Sequence, residues 1–116
     1  MTDRELLELA AKAAGIELCP GDAWRMITPR FSGLLLKDGA TIWNPLTDDG
    51  DALRLAVKLG IDILQRTIWE EAIAVGALTE VCSQLWGDNP LAATRRAIVR
   101  AAAEIARKRA TKEIAK

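Results

Sequence analysis

The chain has no histidine, no tyrosine, a single phenylalanine and two cysteines among its 116 residues. Without histidine, the commonest zinc ligand and the commonest neutral-pH acid–base group are both missing. That excludes a zinc site and any His-dependent dyad or triad. Cys19 and Cys82 lie far apart with no Cys-x-x-Cys spacing, so two free thiols in a reducing compartment are expected, at least one of them buried. The longest uncharged apolar run, "AIAVGAL" at 72–78, is far too short to cross a bilayer. The opening "MTDRELLELA" carries charges where a signal peptide needs an apolar core, which predicts a cytoplasmic protein with no membrane partner. Ser32 and Ser83 have no base partner in the sequence, and no phosphate loop, dinucleotide fingerprint or Gly-x-Ser-x-Gly elbow occurs. A non-enzymatic protein without a cofactor is expected.

Against these absences stands ample material for one core, since half of the residues are hydrophobic. Sixteen basic residues balance sixteen acidic ones, but unevenly along the chain. Residues 95–116 hold eight Arg or Lys against Glu104 and Glu113, whereas 38–71 hold seven acidic residues against Arg54, Lys58 and Arg66. The basic end reads either as a solvated helix and tail or as an anion-facing surface. Zero net charge and the acidic middle argue against a general DNA binder.

Three helices are predicted, near 3–14, 48–59 and 90–108. The first opens on the capping box Thr2-x-x-Glu5, lines Leu6, Leu9, Ala10 and Ala13 on one face, and stops at Gly15. The second starts within Asp48–Asp51, with Leu53, Ala56 and Val57 as its inner stripe, and stops at Gly60. Both exits read alike, Gly15-Ile16 and Gly60-Ile61. The third is capped by Asn89 or Asp88 ahead of Pro90. It places Leu91, Thr94, Ile98, Ala101 and Ile105 on one face and Arg96, Arg100 and Arg107 on the opposite one. Residues 23–28, 33–37 and 40–43 read as short strands, the last two joined by a turn at Asp38-Gly39. For 61–86, three antiparallel strands are favoured by recurring β-branched residues and Trp, with a helix over "LQRTIWEEAIAV" as the alternative. Residues 1–110 are read as one domain and 111–116 as a basic tail.

Two groups of side chains offer chemistry. Asp48, Asp49 and Asp51 surround Gly50, but the spread of oxygen ligands that a calcium loop needs is absent. Acidic residues in a first helical turn also complement the helix dipole, and one of them caps. Trp24, Trp43, Trp69 and Trp86 are nearly the whole aromatic inventory, either core packing or a stacking platform for a base. Trp43 runs directly into Asn44-Pro45 at a strand end beside a helix start, where crevices commonly take ligands.

"MTDRELLELAAKAAGI", "WNPLTDDGDALRLAVKLGID" and "NPLAATRRAIVRAAAEIA" follow one another in this order. Together they resemble the phage ABA-sandwich domain family of small bacteriophage and prophage proteins. The resemblance covers roughly half of the chain at motif level. It departs in 17–42, 63–87 and the tail "RKRATKEIAK". It implies an α+β fold, a small α/β/α (ABA) sandwich with an antiparallel-rich central sheet flanked by three helices, and a phage origin, but no activity. Two binding roles follow as expectations. One is sequestration of a nucleotide-like molecule of host anti-phage signalling, a counter-defence role, by Trp43, Asn44, Asp48, Asp49, Arg95 and Arg96. The other is binding or inhibition of a host protein through an exposed face. The Ala-rich third helix and the several Trp predict a homo-oligomer, a dimer.

Overall fold

The computed structural model describes residues 2–19, 33–76 and 81–114. The strand expected at 23–28, and Trp24 within it, lie outside the described residues. The order of elements is α1 (Asp3–Ala14), β1 (Leu34–Leu35), β2 (Ile42–Trp43), α2 (Asp49–Leu59), β3 (Asp62–Arg66), β4 (Glu71–Val75), β5 (Val81–Leu85) and α3 (Pro90–Ile114). Among the described residues this is an α+β fold of three α-helices and two small antiparallel sheets, the class that the sequence indicates.

Each helix begins where its cap dictates. The Glu5 amide donates to Thr2 Oγ1 at 3.2 Å and the Thr2 amide to Glu5 Oε2 at 3.3 Å, closing the capping box. Asp48 caps α2 by accepting the Asp51 amide at 2.8 Å, and Asn89 caps α3 by accepting the Ala92 amide at 3.0 Å. The two Gly-Ile exits are identical in kind. Gly15 and Gly60 take φ of 70° and 65°, and the following amides, Ile16 and Ile61, each return 2.9 Å to the carbonyls of Ala11 and Ala56. A left-handed residue that carries no Cβ makes that reversal possible without strain.

The described residues of 61–86 form three strands, the favoured reading, with 77–80 lying outside the described residues. β3, β4 and β5 pair in that order, with Leu64 opposite Ile73 and Ile73 opposite Ser83. A single 3-10 turn, Thr67–Trp69, joins β3 to β4. Alternation sends Ala72, Ala74 and Cys82 toward α3, all buried, while Leu64, Ile73, Val81 and Leu85 point to the other face. Both cysteines are free thiols, Cys82 being the buried one.

α3 is the hub. It packs against β4 and β5 on one side and against α1 and α2 on others. Ala93, Ala97, Ala101, Ala102, Ala103 and Ala106 are all buried, since only small side chains let backbones approach this closely from several directions. The helix runs to Ile114 rather than ending near 108, so most of the expected tail at 111–116 is helical. "RKRATKEI" holds good helix formers and no Gly or Pro to stop it.

Two stripes differ from expectation. On α2 the buried residues are Ala52, Leu55 and Ala56, whereas Leu53 and Val57 face solvent, Val57 at 74% exposure. Both sets satisfy helical spacing; docking on α3 selects the one whose alanines permit close contact. On α3, Leu91 is exposed although Ala93 in the same turn and Ile98, Ala101 and Ile105 further along are buried. Arg100 is not on a solvated face: Nη1 donates 2.8 Å to the Ser83 carbonyl on β5. Arg109 reaches the Ala13 carbonyl at 2.9 Å and caps the end of α1.

Candidate binding surfaces

The segment "WNPLTDD" is built as a junction. Trp43 is 6% exposed within the main core, paired across β1–β2 with Leu34, so the partly open ring expected at a ligand crevice is not found. Asn44 is buried too. Its carbonyl accepts the amides of Thr47 and Asp48, its side chain accepts the Leu46 amide at 3.0 Å, and its own amide donates to Asp51 Oδ2 at 3.0 Å. Such a buried polar side chain is stable because its neighbours satisfy it. Asp51 also receives Arg54 Nη2 at 2.7 Å.

The cations join this region in an unexpected way. Arg95 does lie beside the loop that follows Trp43, but the loop consumes it: Nε donates to the Leu46 carbonyl at 2.8 Å and Nη1 to Asp49 Oδ1 at 2.6 Å. Arg96 leaves in another direction and pairs with Asp3 on α1 at 3.1 Å. Of the six residues expected at one site, Trp43, Asn44, Asp48, Asp49 and Arg95 therefore come together as architecture, and Arg96 stands apart. Among the described residues no three His, Cys, Asp or Glu side chains converge as a metal site. No helix among them is long and apolar enough to cross a membrane.

Among the described residues, two other openings bear on binding. A cleft of about 390 Å³ lies ahead of α3, lined among others by Asp3, Thr47, Trp86, Asn89 and Arg96. Trp86 is held there: its indole N–H donates to Gln65 Oε1 at 2.9 Å, and Gln65 Nε2 donates to Thr94 Oγ1 at 2.7 Å. β3, Trp86 and the second turn of α3 are thereby tied into one unit.

The second is the sheet face turned away from α3. Leu64, Val81 and Leu85 are exposed on it, and the 3-10 turn adds Ile68 and Trp69, the latter 64% exposed. Trp69, Arg66, Glu71 and Leu85 border a groove of about 350 Å³. Glu70 holds the turn in the left-handed region, at φ 47°, and its carbonyl accepts the Trp86 amide at 2.7 Å, so one residue fixes both tryptophan segments. A signal of this face was present in "EAIAV": apolar residues occupy both parities of β4, the pattern of a strand with two faces to cover.

No family model matches the chain, and no curated protein or solved structure matches it. The resemblance to the phage ABA-sandwich proteins rests on the three sequence blocks alone.

Proposed function

We propose that this is a non-enzymatic binding protein whose working surface is the sheet face carrying Leu64, Trp69, Val81 and Leu85, and whose partner is another protein. The observation that carries the reading is that these large apolar side chains are all exposed on one side of the sheet, where Trp69 and Leu85 border a groove. Soluble domains seldom leave such a cluster open without a use for it. A tryptophan next to an arginine, here Trp69 and Arg66, is also the composition of an interface hot spot. Following the resemblance of its sequence blocks, the partner is a bacterial host protein met in the cytoplasm by a phage protein, and the chain works as a homodimer.

The test is capture from host cells with wild type and with Trp69→Ala and Leu85→Lys, followed by reconstitution with the purified candidate. A partner bound by wild type and lost by both variants supports the reading. Equal retention by all three chains defeats it.

A second reading keeps the nucleotide-like ligand of host signalling but moves it from Trp43 to the cleft ahead of α3. The observation behind it is the meeting of Trp86, Arg96 and the capped start of α3 around one opening. Trp86 offers a ring for a base, and Arg96, released from Asp3, offers a guanidinium for a phosphate. Titration with cyclic and linear nucleotides, followed by tryptophan fluorescence in wild type and Arg96→Ala, decides it. Saturation in wild type alone is the expected outcome, and no response up to millimolar ligand removes this reading.

A further inference from the structure

β3 is an edge strand: among the described residues its one neighbour is β4, and all five of its residues, Asp62 to Arg66, are exposed. An edge of this kind presents backbone donors and acceptors with no strand to receive them. Natural proteins usually blunt such edges with charged side chains, above all lysine, with proline or with a bulge, and here the two charges, Asp62 and Arg66, are of opposite sign. "DILQR" has no lysine and no proline, and it pairs with β4 in unbroken register.

The sequence of the strand is also complementary to itself. Let two copies of β3 run antiparallel about a two-fold axis at Leu64. Asp62 of each copy then stands opposite Arg66 of the other, and Ile63 opposite Gln65. Directly opposed residues on antiparallel strands have Cβ atoms about 4.5–5.5 Å apart, so both charge pairs fall within contact range. A shift of one residue in either direction loses both pairs. Zero net charge on the chain removes the long-range repulsion that would oppose a second copy.

The surroundings of this edge fit the same occupant. Ile63 on β3, Leu53 on α2 and Leu91 on α3 border an apolar groove of about 250 Å³, and Leu53 and Leu91 are exposed on its rim. Val57, the most exposed apolar residue of α2, lies one turn along from Leu53. A strand added at β3 brings the second copy's helices toward these side chains.

We propose that two copies of this chain join through β3 into one continuous six-stranded antiparallel sheet, with the Asp62–Arg66 pairs setting the register. This deepens the binding-protein reading and rests on its homodimer, for which it supplies the interface. It also places the two Trp69 faces on the same side of a single sheet.

The experiment is light scattering coupled to size exclusion, across a micromolar concentration series, of wild type, Asp62→Lys, Arg66→Glu and the double variant. Each single reversal turns both pairs into like-charge contacts and is expected to raise the dimer dissociation constant roughly tenfold. The double reversal restores opposite charges and returns the constant toward wild type. Arg66 also pairs with Glu71 at 3.6 Å within one chain, but Arg66→Glu and the double variant both lose that contact, so recovery in the double variant reports the intermolecular pairs. All side chains changed are exposed, and circular dichroism confirms that the variants fold. A monomeric wild type, or dimers insensitive to all three variants, overturns β3 pairing. The host-partner reading fails separately, on Trp69 and Leu85, which lie outside β3.

Discussion

Arg95 and Leu46 stand 49 positions apart in the chain and are joined by a 2.8 Å hydrogen bond from guanidinium Nε to backbone carbonyl. The same guanidinium holds Asp49 in the first turn of α2 at 2.6 Å. One side chain on α3 therefore fixes the loop that leads into α2, and the planar fork of arginine lets it serve both acceptors at once.

Removing that fork has a predictable cost. Arg95→Ala leaves the Leu46 carbonyl without its donor in a part-buried setting and is expected to lower stability by about 1–2 kcal/mol. Asp49→Asn is expected to cost only a few tenths of a kcal/mol, because the carboxylate is 66% exposed and its pairing is screened. Urea unfolding of the two variants measures the difference. Equal effects would show that the ion pair, not the carbonyl bond, carries the contact.

Trp43 behaves as core. Trp43→Ala is expected to lower stability by about 3–5 kcal/mol, as large-to-small truncations of buried aromatics do. Thermal unfolding by circular dichroism measures it, and a loss below about 1 kcal/mol would contradict the burial of the ring.

Gly33 has no room for a side chain. Its φ is +137°, and a Cβ there would stand 2.7 Å from the Trp43 carbonyl oxygen and 2.8 Å from Ile42 Cγ2. Gly33→Ala is expected to destabilise by about 1–3 kcal/mol through overpacking, besides the backbone strain. Gly39→Ala meets open space at φ +74° and carries the backbone strain alone, so it is the control. Chemical unfolding of the pair separates crowding from conformation.

Asp38 gives the β1–β2 turn a pH dependence. The Thr41 hydroxyl, then the amides of Thr41 and Ala40, donate to its carboxylate and hold its pKa below the usual aspartate value of 3.8. A pKa depressed by folding contributes stability above the unfolded value, and the contribution is lost as pH falls through the folded one. The turn is therefore expected to loosen only in acid, below the ordinary aspartate range. Proton NMR of the Thr41 amide during an acid titration follows it, and Asp38→Asn should flatten the response.

Local chemistry alone determined much of this protein. The Thr2 box, the Asp48 and Asn89 caps and the two Gly-Ile exits are contacts between residues a few positions apart, so the helix starts and the first two stops could be read directly. The β reading of 61–86 followed from residue type in the same way. What depended on docking could not be read. Leu53 with Val57 and Ala52 with Leu55 are equally good stripes on an isolated helix, and only contact with α3 chose between them. Trp43 looked like a ring at a crevice because nothing near it in sequence announces α1 and α3, whose residues join it in the core. Arg95 and Arg96 are neighbours in sequence, yet helical geometry turns adjacent side chains about 100° apart, and tertiary packing sends one to α2 and the other to α1. Among the described residues, the exposed sheet face and the β3 edge are defined only by how the strands and α3 come together. β3, β4 and β5 pair in chain order through short connections, so their pairing is local, whereas which face stays uncovered is decided by α3, which packs on β4 and β5.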